Sequence, residues 1–255
     1  MRLGSTRRHW NGLARRDAFW AVLTERDKAG RRWTREAFFA TGEAAITAEL
    51  AWVRGLCPNL RFGHALDFGC GVGRLTQALA RHFAQVTGVD IAEEMLALAE
   101  DLRPADAPIT FRHNPAPDLR LFADGTFDYV TSDITLQHMA PHYARRYIAE
   151  FVRVCAPGGL ITFQVPAYVP PDPKERFKWS WWPPTLWTRI CRFTRRRWEK
   201  WVPPEPVMEV HAIPQAEVVA TLEAAGARVL AVQENTAAGS HIESYRYLAS
   251  PGPRT

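Results

Sequence analysis

Cysteine pairs, long apolar runs and internal repeats are all missing from this 255-residue sequence. The four cysteines, Cys57, Cys70, Cys155 and Cys191, lie far apart, with no CxxC pair and no histidine at metal-ligand spacing. That pattern predicts reduced thiols and no metal centre. No window holds the eighteen or so uninterrupted apolar residues that a membrane-spanning helix requires. The basic opening, residues 1–17, lacks the apolar stretch of a secretory signal, so the expected location is the cytoplasm. Without a repeat or a long biased tract, solenoid and low-complexity architectures are excluded.

What is present is ordinary for a globular enzyme: 47% apolar and 23% charged residues. The length suits one α/β core with additions. A net charge of +5 leaves nucleic acid, anionic lipid and acidic substrates open as partners, and charge alone does not choose among them.

From Phe62 onward short apolar runs alternate with amphipathic stretches, the mark of βαβ units and a parallel sheet. Strands are predicted at His64–Phe68, Val86–Asp90, Ile109–Asn114, Phe127–Ser132 and Leu160–Val165. Helices are predicted at Arg74–Phe83, Ala92–Leu102 and Pro141–Cys155, the last ended by Pro157-Gly158-Gly159. A helix over Pro214–Gly226 and two strands, Arg228–Gln233 and Ser244–Ala249, close the pattern. Trp10–Cys57 carries apolar residues at helical spacing, and its aromatics, Trp20, Trp33, Phe38 and Phe39 among them, read as core. The expected organisation is a helical extension over 1–61 packing on the core, a core of 62–165 and 207–255, and an insertion over 166–206, too long for an ordinary connection.

Asp67-Phe68-Gly69-Cys70-Gly71-Val72-Gly73 falls where a strand should turn into a helix. Glycines in alternate positions leave no side chain to block a ligand lying on the turn. The spacing is GxGxG, with Arg74 where a nicotinamide fingerprint would have its last glycine, so an oxidoreductase is disfavoured. Asp67 would set a carboxylate at the strand edge, suited to an ammonium-bearing ligand. Asp90, ending the next strand, would accept hydrogen bonds from ribose hydroxyls. A glycine turn alone is equally well explained by tight packing; the ordered set of segments is more specific.

Taken together, ALDFGCGVGRLT, VTGVDIAEEML, FDYVTSDITLQHM and RVCAPGGLITFQV resemble the first, second-strand, fourth-strand and fifth-strand motifs of class I S-adenosylmethionine-dependent methyltransferases, particularly the small-molecule group. The resemblance runs over Phe62–Val165 and resumes over Ala212–Ser250. It implies an α/β, Rossmann-like, seven-stranded and mostly parallel sheet in the order 3-2-1-4-5-7-6, strand seven antiparallel, with helices on both faces. It implies S-adenosyl-L-methionine as cofactor. Gly69, Cys70, Gly71 and Gly73 would form the cradle for its methionine part, with Asp67 near the amino group. Asp90 would hold the ribose, Ile91 and Met95 would pack on adenine, and Asn114 would stand near the adenine amine. Ser132 and Ile134 would border the sulfonium end.

Methyl transfer needs a nucleophile held in line with the leaving sulfur, and a base only if the acceptor must lose a proton. His138, in the loop after the fourth strand, is the candidate base, with a wall residue as the competing reading. His142, Tyr143, His211 and His241 could also line the pocket, and each reads first as structural. Ser132-Asp133-Ile134-Thr135 lacks the Asn/Asp-Pro-Pro-Tyr/Phe motif of adenine-amine and glutamine-amide methyltransferases. Those acceptors are therefore disfavoured; the resemblance to the small-molecule group and the basic aromatic insertion make the expected acceptor a small or lipid-linked molecule, methylated on oxygen or nitrogen. RNA or protein methylation and a non-catalytic cofactor-binding scaffold are the alternatives.

The insertion holds six of the ten tryptophans, and nine Lys/Arg against four acids. Thr185–Trp201 plots as an amphipathic helix, apolar on one side and arginine-rich elsewhere. It reads first as a lid over the acceptor, second as a peripheral membrane contact through 179–201 at the inner membrane face, and last as a nucleic-acid surface.

Overall fold

The computed structural model describes residues 3–170, 206–239 and 241–252. Six helices and seven strands are used below: α1 (Leu3–Val22), α2 (Arg35–Leu56), β1 (His64–Phe68), α3 (Arg74–Leu79), β2 (Gln85–Asp90), α4 (Glu93–Leu102), β3 (Ile109–His113), β4 (Phe127–Ser132), α5 (Pro141–Val154), β5 (Cys155–Tyr168), α6 (Gln215–Ala224), β6 (Ala227–Glu234) and β7 (Glu243–Pro251). The strands form one sheet in the order β3-β2-β1-β4-β5-β7-β6. Pairing is parallel from β3 through β5, and β7 runs antiparallel to both β5 and β6. This is the expected sheet, in the expected order.

Two boundaries differ from expectation for local reasons. The helix after β1 stops at Leu79 rather than Phe83, because the chain must turn to start β2: Ala84 N donates to Phe62 O and Gln85 N to Gly63 O. Pro157-Gly158-Gly159 does not end α5; it lies inside β5. Cys155 already pairs with Phe127, and the extra residues bulge out before Leu160 pairs with Tyr129, with Gly158 at φ +73°.

The N-terminal region forms two helices. In α1 the helix kinks at Asp17, whose carboxylate accepts from Trp20 N at 3.2 Å and Arg31 N at 2.6 Å. Phe38 on α2 is fully buried and stacks on Phe19 with ring centroids 4.3 Å apart. Trp33 and Phe38 join Leu13, Ala14, Val72, Ala92 and Met95 in one apolar cluster. α1 is thereby packed over the loops that follow β1 and β2, and it becomes the ceiling of the cleft at the strand ends.

Further along α2, Glu49 delivers a buried carboxylate to the sheet. Glu49 Oε1 accepts from Tyr129 OH at 2.6 Å, Thr162 Oγ1 at 2.8 Å and Thr131 Oγ1 at 3.0 Å. Its Oε2 lies 3.4 Å from Arg246 Nη1, and Arg246 Nη2 reaches Asp133 Oδ1 at 3.2 Å. A charged ladder thus joins α2, β7 and the loop after β4, and its partners satisfy groups that burial alone would penalise heavily.

The proposed insertion helix Thr185–Trp201, and with it the expected membrane contact at 179–201, lies outside the described residues. The chain is again described from Pro206, against α1: Val207 N donates to His9 Nδ1 at 3.1 Å. It then crosses the turn after β4, where His211 N donates to Gln137 O at 2.7 Å, and Ile213 N donates to Pro166 O at 2.8 Å. Among the described residues no helix is long and apolar enough to cross a membrane.

Candidate functional site

The glycine turn is built by bonds between the ends of β1 and β2. Gly69 N and Cys70 N both donate to Val89 O, at 2.7 and 3.1 Å. Gly71 N donates to Asp90 Oδ2 at 2.9 Å, while Asp90 Oδ1 accepts from Ala92 N at 2.8 Å. Gly69 and Gly71 adopt φ of +76° and +53°. A Cβ at Gly69 would lie 2.1 Å from Thr135 Cγ2, and one at Gly71 2.8 Å from Val22 Cγ2. Only bare backbone lets the β4 loop and α1 come this close.

Two adjoining pockets open along this edge. One, of about 670 Å³, is lined by Asp67, Gly69, Cys70, Gly71, Asp90, Ile134 and His138 from the expected set, with Thr6, Trp10, Val22, Arg74, Leu75, Asp133, Thr135 and Met139. The other, of about 360 Å³, shares Thr6, Gly69, Asp90, Thr135 and Met139 with it, and adds Ile91, Asn114, Leu3, Phe68, Val89 and Tyr147. The cleft therefore runs from Asn114 beyond β3, past Asp90 and the glycine turn, to His138 beyond β4.

Three of the expected residues do not line it. Met95 is 1% exposed and fills the seam between α4 and α1, in the cluster with Leu13 and Ala14. Gly73 faces Phe111, whose Cζ would sit 3.0 Å from an added Cβ. Ser132 is buried beneath the turn, its Oγ donating to Phe68 O at 3.0 Å. Asn114 lines the cleft, but its side chain also folds the next loop: Nδ2 donates to Asp118 O at 2.8 Å and Oδ1 accepts from Ala116 N at 3.2 Å.

Burial dominates the electrostatics. Asp67, 2% exposed, is pushed up to about 7, although the Thr76 hydroxyl donating at 2.6 Å and the nearby Arg74 charge oppose this. Asp90 is also raised by burial, against the backbone amides that bond it. Cys70 is raised well above an ordinary thiol for the same reason, so it is a neutral wall rather than a nucleophile.

His138 is 5% exposed, with Nδ1 2.6 Å from the backbone carbonyl of Glu209 and Nε2 3.3 Å from Gln137 Nε2. A carbonyl partner requires the proton on Nδ1, which leaves Nε2 to accept from the amide. Trp10 of α1 packs edge-on at 5.1 Å between ring centroids. Burial takes the imidazole down to about 4, outweighing the Glu209 carbonyl. The ring is therefore neutral at physiological pH and a weak base.

The sequence reading did not reach the α1 contribution or the two charges flanking the turn, Arg74 and Asp133. Trp10 had a signal, an aromatic early in an amphipathic stretch, but nothing local tells a ceiling from a core. Arg74 was visible only as a departure from a dinucleotide fingerprint.

A seven-stranded sheet of this order, with a glycine turn after β1 and an acidic residue ending β2, defines a class I methyltransferase fold. Residues 66–163 match the family described as "Methyltransferase domain". Over those residues, and in its sheet order, the chain is similar to the class I S-adenosylmethionine-dependent methyltransferases. It is 33% identical over 137 residues to a ubiquinone biosynthesis O-methyltransferase of Bordetella avium, covering 53% of this chain and 56% of that protein. A ubiquinone biosynthesis O-methyltransferase of Methylococcus capsulatus is 37% identical over 100 residues, covering 39% of this chain and 41% of that protein. The match thus spans only about half the length of these curated relatives. Among solved structures, magnesium protoporphyrin IX methyltransferase from Synechocystis PCC 6803 with bound SAH superimposes with a TM-score of 0.64 at 17% identity, over 98% of this chain and 99% of that one. A SAM-dependent methyltransferase of Leishmania major has a TM-score of 0.64 at 14% identity, over 97% of this chain and 82% of that one. At such identities the likeness is one of fold.

Proposed function

We propose that this chain transfers a methyl group from S-adenosylmethionine to an oxygen of a small molecule. The observation that carries this reading is the continuous cleft from Asn114 to His138 along the carboxyl ends of the parallel strands, where open α/β sheets take ligands. The residues present fit an adenosyl amino acid. Bare backbone at Gly69 and Gly71 admits close approach. Asp90 keeps carboxylate lone pairs beyond those that Gly71 and Ala92 use. Ile91 gives the smaller pocket an apolar wall.

In this reading Asp90 receives the ribose hydroxyls, Ile91 packs on adenine and Asn114 stands by its amine. Gly69, Cys70 and Gly71 cradle the methionine part with Asp67, and Ile134 borders the sulfur. Met95, Gly73 and Ser132 act at one remove, by holding α4, the turn and the β1 end in place. Bound S-adenosylmethionine supplies a methyl group already activated on a sulfonium, so the protein's work is to position the acceptor and exclude water. Trp10 and Thr6 of α1 close the cleft from above.

His138 is assigned as a wall that orients the acceptor. A base held near pKa 4 is a poor proton acceptor for a neutral hydroxyl. The oxygen acceptor follows the names of the curated relatives, which are O-methyltransferases.

Calorimetry with S-adenosylmethionine, S-adenosylhomocysteine and NAD tests the cofactor: binding of the first two and not the third is expected, and the reverse overturns the reading. Transfer of labelled methyl to a panel of hydroxylated aromatics against amines then tests the acceptor. For His138→Asn, kcat within a few-fold of wild type across pH 6–9 is expected. A hundredfold loss with a changed pH profile would make it the base.

A further inference from the structure

Arg74 is the most unusual charge in the cleft. It follows the glycine turn directly, is 6% exposed, and lines the larger pocket. Among the described residues it makes no ion pair within 4 Å, its Nε has no hydrogen-bond partner, and its Nη1 has only a long contact, 3.4 Å, to Thr41 Oγ1. A guanidinium always carries its charge, and burying it unpaired is costly. Burial accordingly depresses its proton affinity, while Asp133 and Asp67 oppose that from a distance.

Both of those carboxylates are already engaged elsewhere. Asp67 accepts from Thr76, and Asp133 is held by Arg246 on the ladder from Glu49. Each also lines the larger pocket. The cleft therefore presents one unsatisfied cation flanked by two occupied carboxylates. That is the complement of a zwitterion: an anion for Arg74, and an ammonium for the oxygens of Asp67 and Asp133.

A purely structural role is poorly served by this geometry. The stem of Arg74 packs under α2, where a Cβ on Gly42 would meet Arg74 O at 2.3 Å and Cγ at 3.0 Å. That contact uses the aliphatic chain and leaves the charged head unanswered.

We propose that Arg74 is the receptor for the α-carboxylate of the bound cofactor's amino-acid end, and so selects amino-acid-bearing adenosyl ligands over those without that end. This rests on the S-adenosyl reading above. The charge of Arg74, unanswered by the described residues, becomes paired by the ligand's carboxylate. A bidentate guanidinium–carboxylate pair is the strong form of this contact.

The test compares S-adenosylhomocysteine with 5′-methylthioadenosine, which keeps the adenosine and sulfur but lacks the amino acid. Wild-type protein, Arg74→Met and Arg74→Lys are titrated with each by calorimetry, and their ligand-free melting temperatures are measured. Arg74→Met keeps the stem under Gly42. It is expected to weaken S-adenosylhomocysteine about 30-fold, or roughly 2 kcal/mol, while 5′-methylthioadenosine changes less than threefold. Arg74→Lys is expected to recover part of the loss. The ligand-free Arg74→Met protein is expected to melt no lower than wild type. Equal weakening of both ligands, or of neither, overturns the assignment, as does a large fall in ligand-free melting temperature. If wild type binds neither ligand, the S-adenosyl reading itself fails.

Discussion

The backbone N–H of Ile134 donates to Oε1 of Gln164, 3.2 Å away, and holds a β-branched residue at φ +55°. Left-handed backbone is unfavourable for such a side chain, by roughly 1–3 kcal/mol. It persists here because the surroundings over-determine it. Gln164 is fully buried, and its amide also reaches Gln137 Oε1 and Ser244 Oγ. The turn that follows β4, and forms one wall of the cleft, is therefore pinned from β5.

Replacing Gln164 with Leu removes the acceptor for Ile134 N and the partner of two buried polar side chains. A loss of about 1–3 kcal/mol in urea unfolding is expected. Ile134→Gly in the Gln164→Leu background should recover part of it by removing the left-handed penalty. No recovery would mean that the turn is not strained.

Two buried groups push the pH dependence of stability in opposite directions. Asp67 titrates near 7 when folded and near 3.8 when unfolded, so the folded state holds the proton longer and stability falls as pH rises from about 4 to 7. The full effect is of order 4 kcal/mol. Ligand-free Asp67→Asn should thus gain steadily on wild type between pH 5 and pH 8, and parallel curves would refute the burial argument.

His138 does the converse. Its folded value near 4 lies below the unfolded 6.5, so the unfolded chain binds the extra proton and stability falls as pH drops from 6.5 to 4. The amount is roughly 3 kcal/mol. His138→Gln should flatten that limb of the unfolding curve, and an NMR titration of the imidazole should show no protonation above pH 5.

The buried ladder from Glu49 can be taken apart in steps. Tyr129→Phe removes one of three donors to Glu49 and should cost about 1–2 kcal/mol. Arg246→Met leaves Glu49 and Asp133 without their cation, and a loss of about 3–5 kcal/mol is expected. Adding Glu49→Gln to Arg246→Met should restore part of this; additive losses would show that the two charges are not coupled.

The sheet was readable because its signals are local. Short apolar runs, most followed by an amphipathic stretch, mark an α/β sheet, and β1 and β4 fall where the pattern puts them; the strand order came from the family resemblance. The glycine turn and Asp90 were readable because they adjoin strand ends. Helical spacing correctly put Met95 on the buried face of α4; its place beside adenine came from the resemblance, and the covering by α1 has no local signal. Trp10, Asp133 and the ladder from Glu49 depend on contacts between residues 80 or more apart, such as Tyr129 OH to Glu49. No local pattern carries those.

The ladder also sets a condition on how the chain reaches its final form. Glu49 lies on α2, yet its cationic partner, Arg246, belongs to β7, which is made much later. Until that strand emerges, Glu49 must stay hydrated, and α2 cannot be sealed against the sheet without stranding a charge. Helix α2 is thus locked by β7. A ribosome-bound chain halted short of β7 should hold α2 loosely, open to protease, however complete its parallel strands.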